Sequence, residues 1–92
     1  MDEQTIKEVV DYMISYGTEH TNYGNWIFEI GDLCVSFDIL EDWFYEHNEE
    51  IIDELYTRAE VLDVEQEFDS DANPLTYDVN FGIKYCSNLW EE

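Results

Sequence analysis

Residues 61–71, VLDVEQEFDSD, place an acid at every second position: Asp63, Glu65, Glu67, Asp69 and Asp71. Leu62, Val64, Gln66 and Phe68 fall between them. A period of two belongs to a β-strand, whose successive side chains point to opposite sides of the pleat. The stretch therefore predicts a strand with one face on a core and the other in water. Its wet face is a row of carboxylates with no lysine or arginine among them. Like charges that neighbour one another on a sheet repel, and sheet surfaces ordinarily mix signs. Any fold built on this strand must cover the apolar face and leave the acidic one in solvent.

The rest of the chain supplies the partners. Ile6, Val9, Val10, Met13 and Ile14 recur at helical spacing over residues 2–16, with Glu8, Asp11 and Ser15 opposite. Asp2 can cap the start of that helix and Gly17 its end. After a polar loop, NWIFEI (25–30) and LCVSFDI (33–39) flank Gly31–Asp32, a two-residue hairpin signal. One strand face would carry Trp26, Phe28 and Ile30, the next Leu33, Val35, Phe37 and Ile39. Residues 41–60 predict a second helix with Phe44, Ile51, Ile52, Leu55 and Ala59 in one stripe. Asp42, Glu46, Glu49, Asp53 and Glu60 fall opposite, with Glu50 and Glu54 on the flank. The acidic strand follows, then a loop around Asn73–Pro74. A last strand over 75–86 turns Leu75, Tyr77, Val79, Phe81, Ile83 and Tyr85 one way and Thr76, Asp78, Asn80, Gly82 and Lys84 the other. The order α-β-β-α-β-β predicts one α+β domain over residues 1–92: a four-stranded antiparallel sheet of two hairpins, covered by two amphipathic helices.

Charge narrows the function classes. Against 24 acids stand Lys7, Arg58 and Lys84, a formal net charge of −21. A small domain needs only about 2–8 charges for solubility. The excess repels itself and costs stability, so it asks for a use, either a basic partner or bound cations. A content of 45% hydrophobic and 16% aromatic residues argues against a disordered acidic tail. Nucleic acid and anionic membrane surfaces would both repel the chain. No stretch approaches the ~18–20 apolar residues of a membrane span, and the acidic N-terminus is unlike a signal peptide. Cys34 and Cys86 then read as reduced thiols, Cys34 a packing residue in its strand.

The chemistry-bearing residues point away from catalysis. Asp69, Asp71 and Asn73 occupy the first, third and fifth positions of an EF-hand-like run, but Pro74 stands where the turn needs glycine and Asn80 where a bidentate glutamate belongs. His20, read as a loop residue, and His47, on the border of the second helix, are expected to be surface histidines, and no HExxH or zinc-spaced cysteine pair occurs. Carboxylates abound, but glycosidase chemistry needs two of them in a cleft with unequal pKa values. A phosphate loop and a nucleophile elbow are also missing. The expectation is a protein without metal, cofactor or enzymatic activity.

The acids make geometric sense as two rows. Alternate strand residues lie ~6.6–6.8 Å apart, which strings Asp63, Glu65, Glu67 and Asp69 into a rod, extended by Asp71. On the second helix, with ~1.5 Å rise per residue, Asp42, Glu46, Glu49 and Asp53 stand ~4.5–6 Å apart along a stripe beside Glu50 and Glu60. Asp78 adds a carboxylate on the wet face of the last strand. B-DNA presents a phosphate every ~3.4 Å of axis per strand, with a longer true separation because the backbone winds. Two such rows approximate two phosphate backbones on a rigid scaffold. Trp43, Tyr45, Tyr56, Leu89 and Trp90 are more aromatic and apolar surface than a small core needs. Trp43, Tyr45, Tyr56 and Trp90 in particular are candidates for an apolar anchor or homodimer patch.

In size, charge and mixed α/β pattern the chain resembles the DNA-mimic proteins of phages and mobile elements. Among these it is most similar in character to the Arn-type anti-restriction proteins of T-even phages; the Ocr and ArdA anti-restriction proteins and acidic anti-CRISPR proteins form the wider class. The resemblance covers the whole chain as character and carries no shared motif, so it assigns no residue. It implies an inhibitor in the cytoplasm of a bacterial host that fills the basic DNA cleft of a nuclease, a restriction enzyme first and a CRISPR effector next. Two other readings stand beside it: a chaperone or sequestering partner of a basic nucleoid or histone-like protein, and an adaptor that binds a polymerase through the aromatic patch.

Overall fold

The computed structural model describes residues 2–21 and 24–82. Its elements run α1 (Asp2–His20), β1 (Gly24–Glu29), α2 (Ile30–Phe37), α3 (Glu41–Glu46), α4 (Asn48–Tyr56), β2 (Val61–Glu65) and β3 (Thr76–Phe81). The class is α+β, as the sequence predicts. Among the described residues, however, the sheet has three strands and not four, and four helices accompany it. The sheet is antiparallel in the order β1-β3-β2, so the last strand lies between the other two. That position suits its sequence, because Tyr77, Val79 and Phe81 are fully or almost fully buried.

Register defines the two faces. Trp26 and Phe28 lie opposite Val79 and Tyr77, while Val61 and Val64 lie opposite Phe81 and Val79. This face meets Ile6, Val9, Val10 and Met13 of α1, Ile30 and Leu33 of α2, Phe44 of α3, and Ile51 and Leu55 of α4, which together form the core. The other face carries Asn25, Ile27 and Glu29 from β1, Thr76, Asp78 and Asn80 from β3, and Asp63 and Glu65 from β2.

The expected hairpin at Gly31–Asp32 is instead the start of a helix. Leu33, Val35, Phe37 and Ile39 alternate, but Ile30, Leu33, Cys34 and Phe37 also fit a helical i, i+3, i+4, i+7 stripe. The fold takes the second period: Ile30 and Leu33 are buried, Cys34 and Phe37 pack beside them, and Val35 is 83% exposed. Gly31 has no positive φ. The chain reverses at Asp38 (φ 57°, ψ 49°), a left-handed residue at which Ile39 N–H donates to Cys34 C=O at 3.1 Å.

α1 runs past Gly17 to His20, so Gly17 is no helix cap and His20 no loop residue. Gly17 is buried because the Phe81 ring lies against it, and a Cβ at that position would fall inside the ring. The predicted second helix bends into two pieces at His47 (φ −104°, ψ 17°). The bend keeps His47 N–H on Trp43 C=O and Ile51 N–H on His47 C=O, both at 3.0 Å. α4 ends at Tyr56, leaving Ala59 exposed in the following turn.

The acidic strand stops at Glu65, short of the expected residue 71. A bulge between Val61 and Asp63 turns Leu62 outward, to 64% exposure, where burial was expected. Beyond Glu65 the chain loops back to β3, touching itself at an isolated Phe68–Pro74 bridge and through Leu75 N–H on Glu67 C=O at 2.7 Å. Phe68 and Leu75 are consequently exposed, contrary to the alternation. Residues 83–86 of the predicted last strand, including Cys86, and Leu89 and Trp90 lie outside the described residues.

Candidate functional site

α4 runs antiparallel beside β2, held at both ends by polar contacts. At one end Asn48 and Gln66 exchange amide hydrogen bonds, Asn48 Nδ2 to Gln66 Oε1 at 3.0 Å and Gln66 Nε2 to Asn48 Oδ1 at 2.8 Å. Tyr77 O–H from the core also donates to Asn48 Oδ1, at 2.9 Å. At the other end Tyr56 O–H donates to Asp63 Oδ1 at 2.8 Å and accepts Val64 N–H at 3.0 Å. This hydroxyl occupies a backbone group that an edge strand would otherwise leave open.

The acid rows follow from this arrangement. Asp42 and Glu46 are exposed on α3, and Glu49, Glu50 and Asp53 are exposed on α4. Asp63 and Glu65 stand on the outer face of β2, with exposed Glu67 just beyond its end. The helix and strand rows thus flank one sheet edge. The helix row is bent at His47 and is not the straight stripe the sequence predicts.

Other predicted members are placed differently. Glu65 of β2 directly faces Asp78 of β3, a like-charge pair that a sheet surface ordinarily avoids. Asp78 also accepts Asn25 Nδ2 at 2.7 Å. Asp69 leaves the strand row: its Oδ1 accepts the backbone N–H of Asp71 and of Asn73, each at 2.9 Å, and shapes a loop in which Ala72 is left-handed. That role accounts for the Asp69–Asp71–Asn73 run through loop geometry alone. Asp71 is exposed at the loop tip, and Glu60 is half-buried in the turn before β2. Glu29 was missed. The alternation of NWIFEI places it outward with Asn25 and Ile27, and it joins Glu65, Glu67 and Asp78 around a groove of about 280 Å³ on the open sheet face.

The described cations lie between α1 and α4. Arg58 bridges Asp11 at 2.6 Å and Glu54 at 3.0 Å. Lys7 sits exposed in a groove between α1 and α4 that Glu50, Asp53 and Glu54 also line. The proposed aromatic patch separates into individual tasks. Trp43 packs edge-on against Phe44 at the margin of the core. Tyr45 lines a groove of about 760 Å³ with Ile52, Phe68 and Pro74. Tyr56 serves the β2 edge, and Trp90 lies outside the described residues. Among the described residues no group of three or more His, Cys, Asp or Glu side chains is arranged to hold a metal ion, and no helix is long and apolar enough to cross a membrane.

His47, at the bend between α3 and α4, is held between carboxylates. Its Nδ1 lies 2.5 Å from Glu50 Oε1, its Nε2 3.5 Å from Asp2 Oδ2, and its ring beside Trp43. The hydrogen bond to Glu50 raises its pKa above the usual 6.5; partial burial opposes this, and Asp2 and Glu46 add to it. A raised histidine pKa means a contribution to stability that is complete below about pH 6.5 and lost as pH climbs through the folded value. Accordingly, His47→Gln lowers the melting temperature at pH 6 and has little effect at pH 9. Melts across that range check this, and an equal loss at both ends would contradict it.

The net charge makes a second prediction. Raising NaCl from 10 to 150 mM shortens the Debye length from ~30 to ~8 Å. Repulsion among the exposed acids is screened, and the melting temperature rises. Calcium at micromolar concentration adds nothing that magnesium does not. A calcium-specific shift would reopen the Asp69–Asn73 loop as a site.

Comparison with protein-family models, with curated proteins and with solved structures finds no match to this chain. Its own charges and geometry carry the functional reading.

Proposed function

We propose that the protein is an acidic DNA mimic that occupies the DNA-binding cleft of a host defence nuclease, a restriction endonuclease first and a CRISPR effector next. The observation that supports this most is the antiparallel alignment of α4 and β2, with exposed carboxylates on both and the described cations gathered between α1 and α4. Spacings of ~4.5–6 Å along the helices and ~6.6–6.8 Å along the strand fall in the range a basic cleft meets on a phosphate backbone. Asp78 and Glu29 extend the field across the open face of the sheet. A protein of this charge repels DNA itself, so inhibition acts through competition for the enzyme.

The experiment is a DNA-binding competition. The protein alone leaves DNA mobility unchanged, and added to a restriction endonuclease it displaces DNA with increasing apparent Kd for the duplex. Retardation of DNA by the protein alone, or turnover of a substrate, would overturn the reading. Capture of a basic nucleoid protein in place of a nuclease would turn it into sequestration by bulk charge.

A further inference from the structure

Antiparallel pairing alternates along a strand, so one observed bond identifies which backbone groups of β1 face its neighbour. Ile30 N–H donates to Leu75 C=O at 2.9 Å. Phe28–Tyr77 and Trp26–Val79 are the partner positions two and four residues earlier. Trp26 and Phe28 therefore turn their N–H and C=O groups toward β3. Asn25, Ile27 and Glu29 turn theirs away from the sheet. Among the described residues no strand pairs with β1 on that side, so these three N–H groups point outward, while the Glu29 C=O serves as the first acceptor of α2. The opposite edge is treated differently, since Tyr56 accepts Val64 N–H there.

A groove of about 250 Å³ runs beside this open edge. Asp32, Leu33 and Ser36, on one face of α2, form its far wall, and Tyr12, Tyr16 and Trp26 supply an aromatic floor. Among the described residues Glu29 and Asp32 are its charged groups, and no lysine or arginine lines it. Ile27, 56% exposed, sits where the edge meets the outer sheet face. A strand edge facing a helix across an aromatic-floored groove is the geometry in which peptides add as an extra strand.

We propose that the β1 edge and this groove take an extended, basic segment of a partner protein as a fourth strand. Outward backbone groups at every second residue demand an extended backbone. Glu29, Asp32 and the −21 net charge select lysine and arginine at its side chains, and they disfavour a second copy of this chain. Side chains entering the groove meet the aromatic floor and are apolar, while those beside Ile27 and Glu29 are basic. The site lies on the sheet edge opposite the acid rows of α4 and β2 and shares only Glu29 with the acidic field, so strand addition there stands or falls independently of the DNA-mimic reading.

The test uses the full-length protein and a heptapeptide, acetyl-Lys-Val-Arg-Val-Lys-Val-Arg-amide, beside the same peptide N-methylated at every residue. In the free protein the amides of Asn25, Ile27 and Glu29 exchange rapidly with solvent. The unmodified peptide slows them by about tenfold or more, whereas the N-methylated peptide, with equal charge and no strand-pairing donors at those positions, does not. Ile27→Pro removes one outward donor on an edge strand, where proline is tolerated, and abolishes the protection. The two peptides decide the matter without that variant. Equal protection by both peptides would reduce the effect to charge and overturn the proposal. So would slow exchange at all three amides in the free protein, which would mean the edge is already covered by residues 83–92 or by a second copy.

Discussion

Gly17→Ala destabilises the protein by about 2 kcal/mol, although alanine is the better helix former by about 1 kcal/mol. The sign reverses because the new methyl has no room: the Phe81 ring occupies its position, and either the ring or α1 must move. Overpacking of this kind costs about 3 kcal/mol, which outweighs the gain in propensity. For a domain of this size the melting temperature falls by about 8–16 °C. Phe81→Leu in the Gly17→Ala background recovers part of the loss, since the two positions share one contact and their effects do not add. If alanine at 17 raises the melting temperature, α1 does not sit on β3 as described.

Gly17 also shows what kind of information the sequence carries. Read along the chain, a glycine after a run of helical residues is a cap; its actual partner lies 64 residues away on the central strand, and nothing local announces that. The apolar stripes of α1 and α4 were legible because Ile6, Val9, Val10 and Met13, and Ile51 and Leu55, satisfy only a helical period. Residues 30–39 satisfy two periods at once, and burial of Ile30 and Leu33 against the sheet decided between them. The acid alternation persists to Asp71 while the strand ends at Glu65, because alternation describes side chains and the Asp69 loop is made by backbone hydrogen bonds. The exposed acids of α3, α4 and β2 were legible from charge and period. Their convergence on one sheet edge was not, since it depends on the β1-β3-β2 order.

The second large effect concerns the rows themselves. Asp63→Asn, Glu65→Gln and Glu67→Gln together remove three charges from the strand row, keep an acceptor for Tyr56 O–H, and spare the Asp69 loop. If the protein acts as the proposed DNA mimic, then at ~1.5 kcal/mol or more for each close interfacial charge pair the triple weakens nuclease binding by about 4 kcal/mol, roughly a thousandfold. Changing Asp42, Glu46, Glu49 and Asp53 likewise on α3 and α4 has an effect of the same order. Both sets hold or raise the melting temperature, because self-repulsion falls.

The most direct measurement compares the strand triple with Glu3→Gln, Glu8→Gln and Glu19→Gln, which removes the same charge from exposed positions on α1. Affinity for the target nuclease is followed from low to moderate salt for wild type and both variants. If the rows stand in for phosphates, the strand triple binds roughly a thousandfold more weakly and its affinity depends less steeply on salt, while the α1 triple stays near wild type. Equal losses in the two triples, with equal changes in salt slope, would contradict the account, because bulk charge and not the placement of the rows would then govern binding.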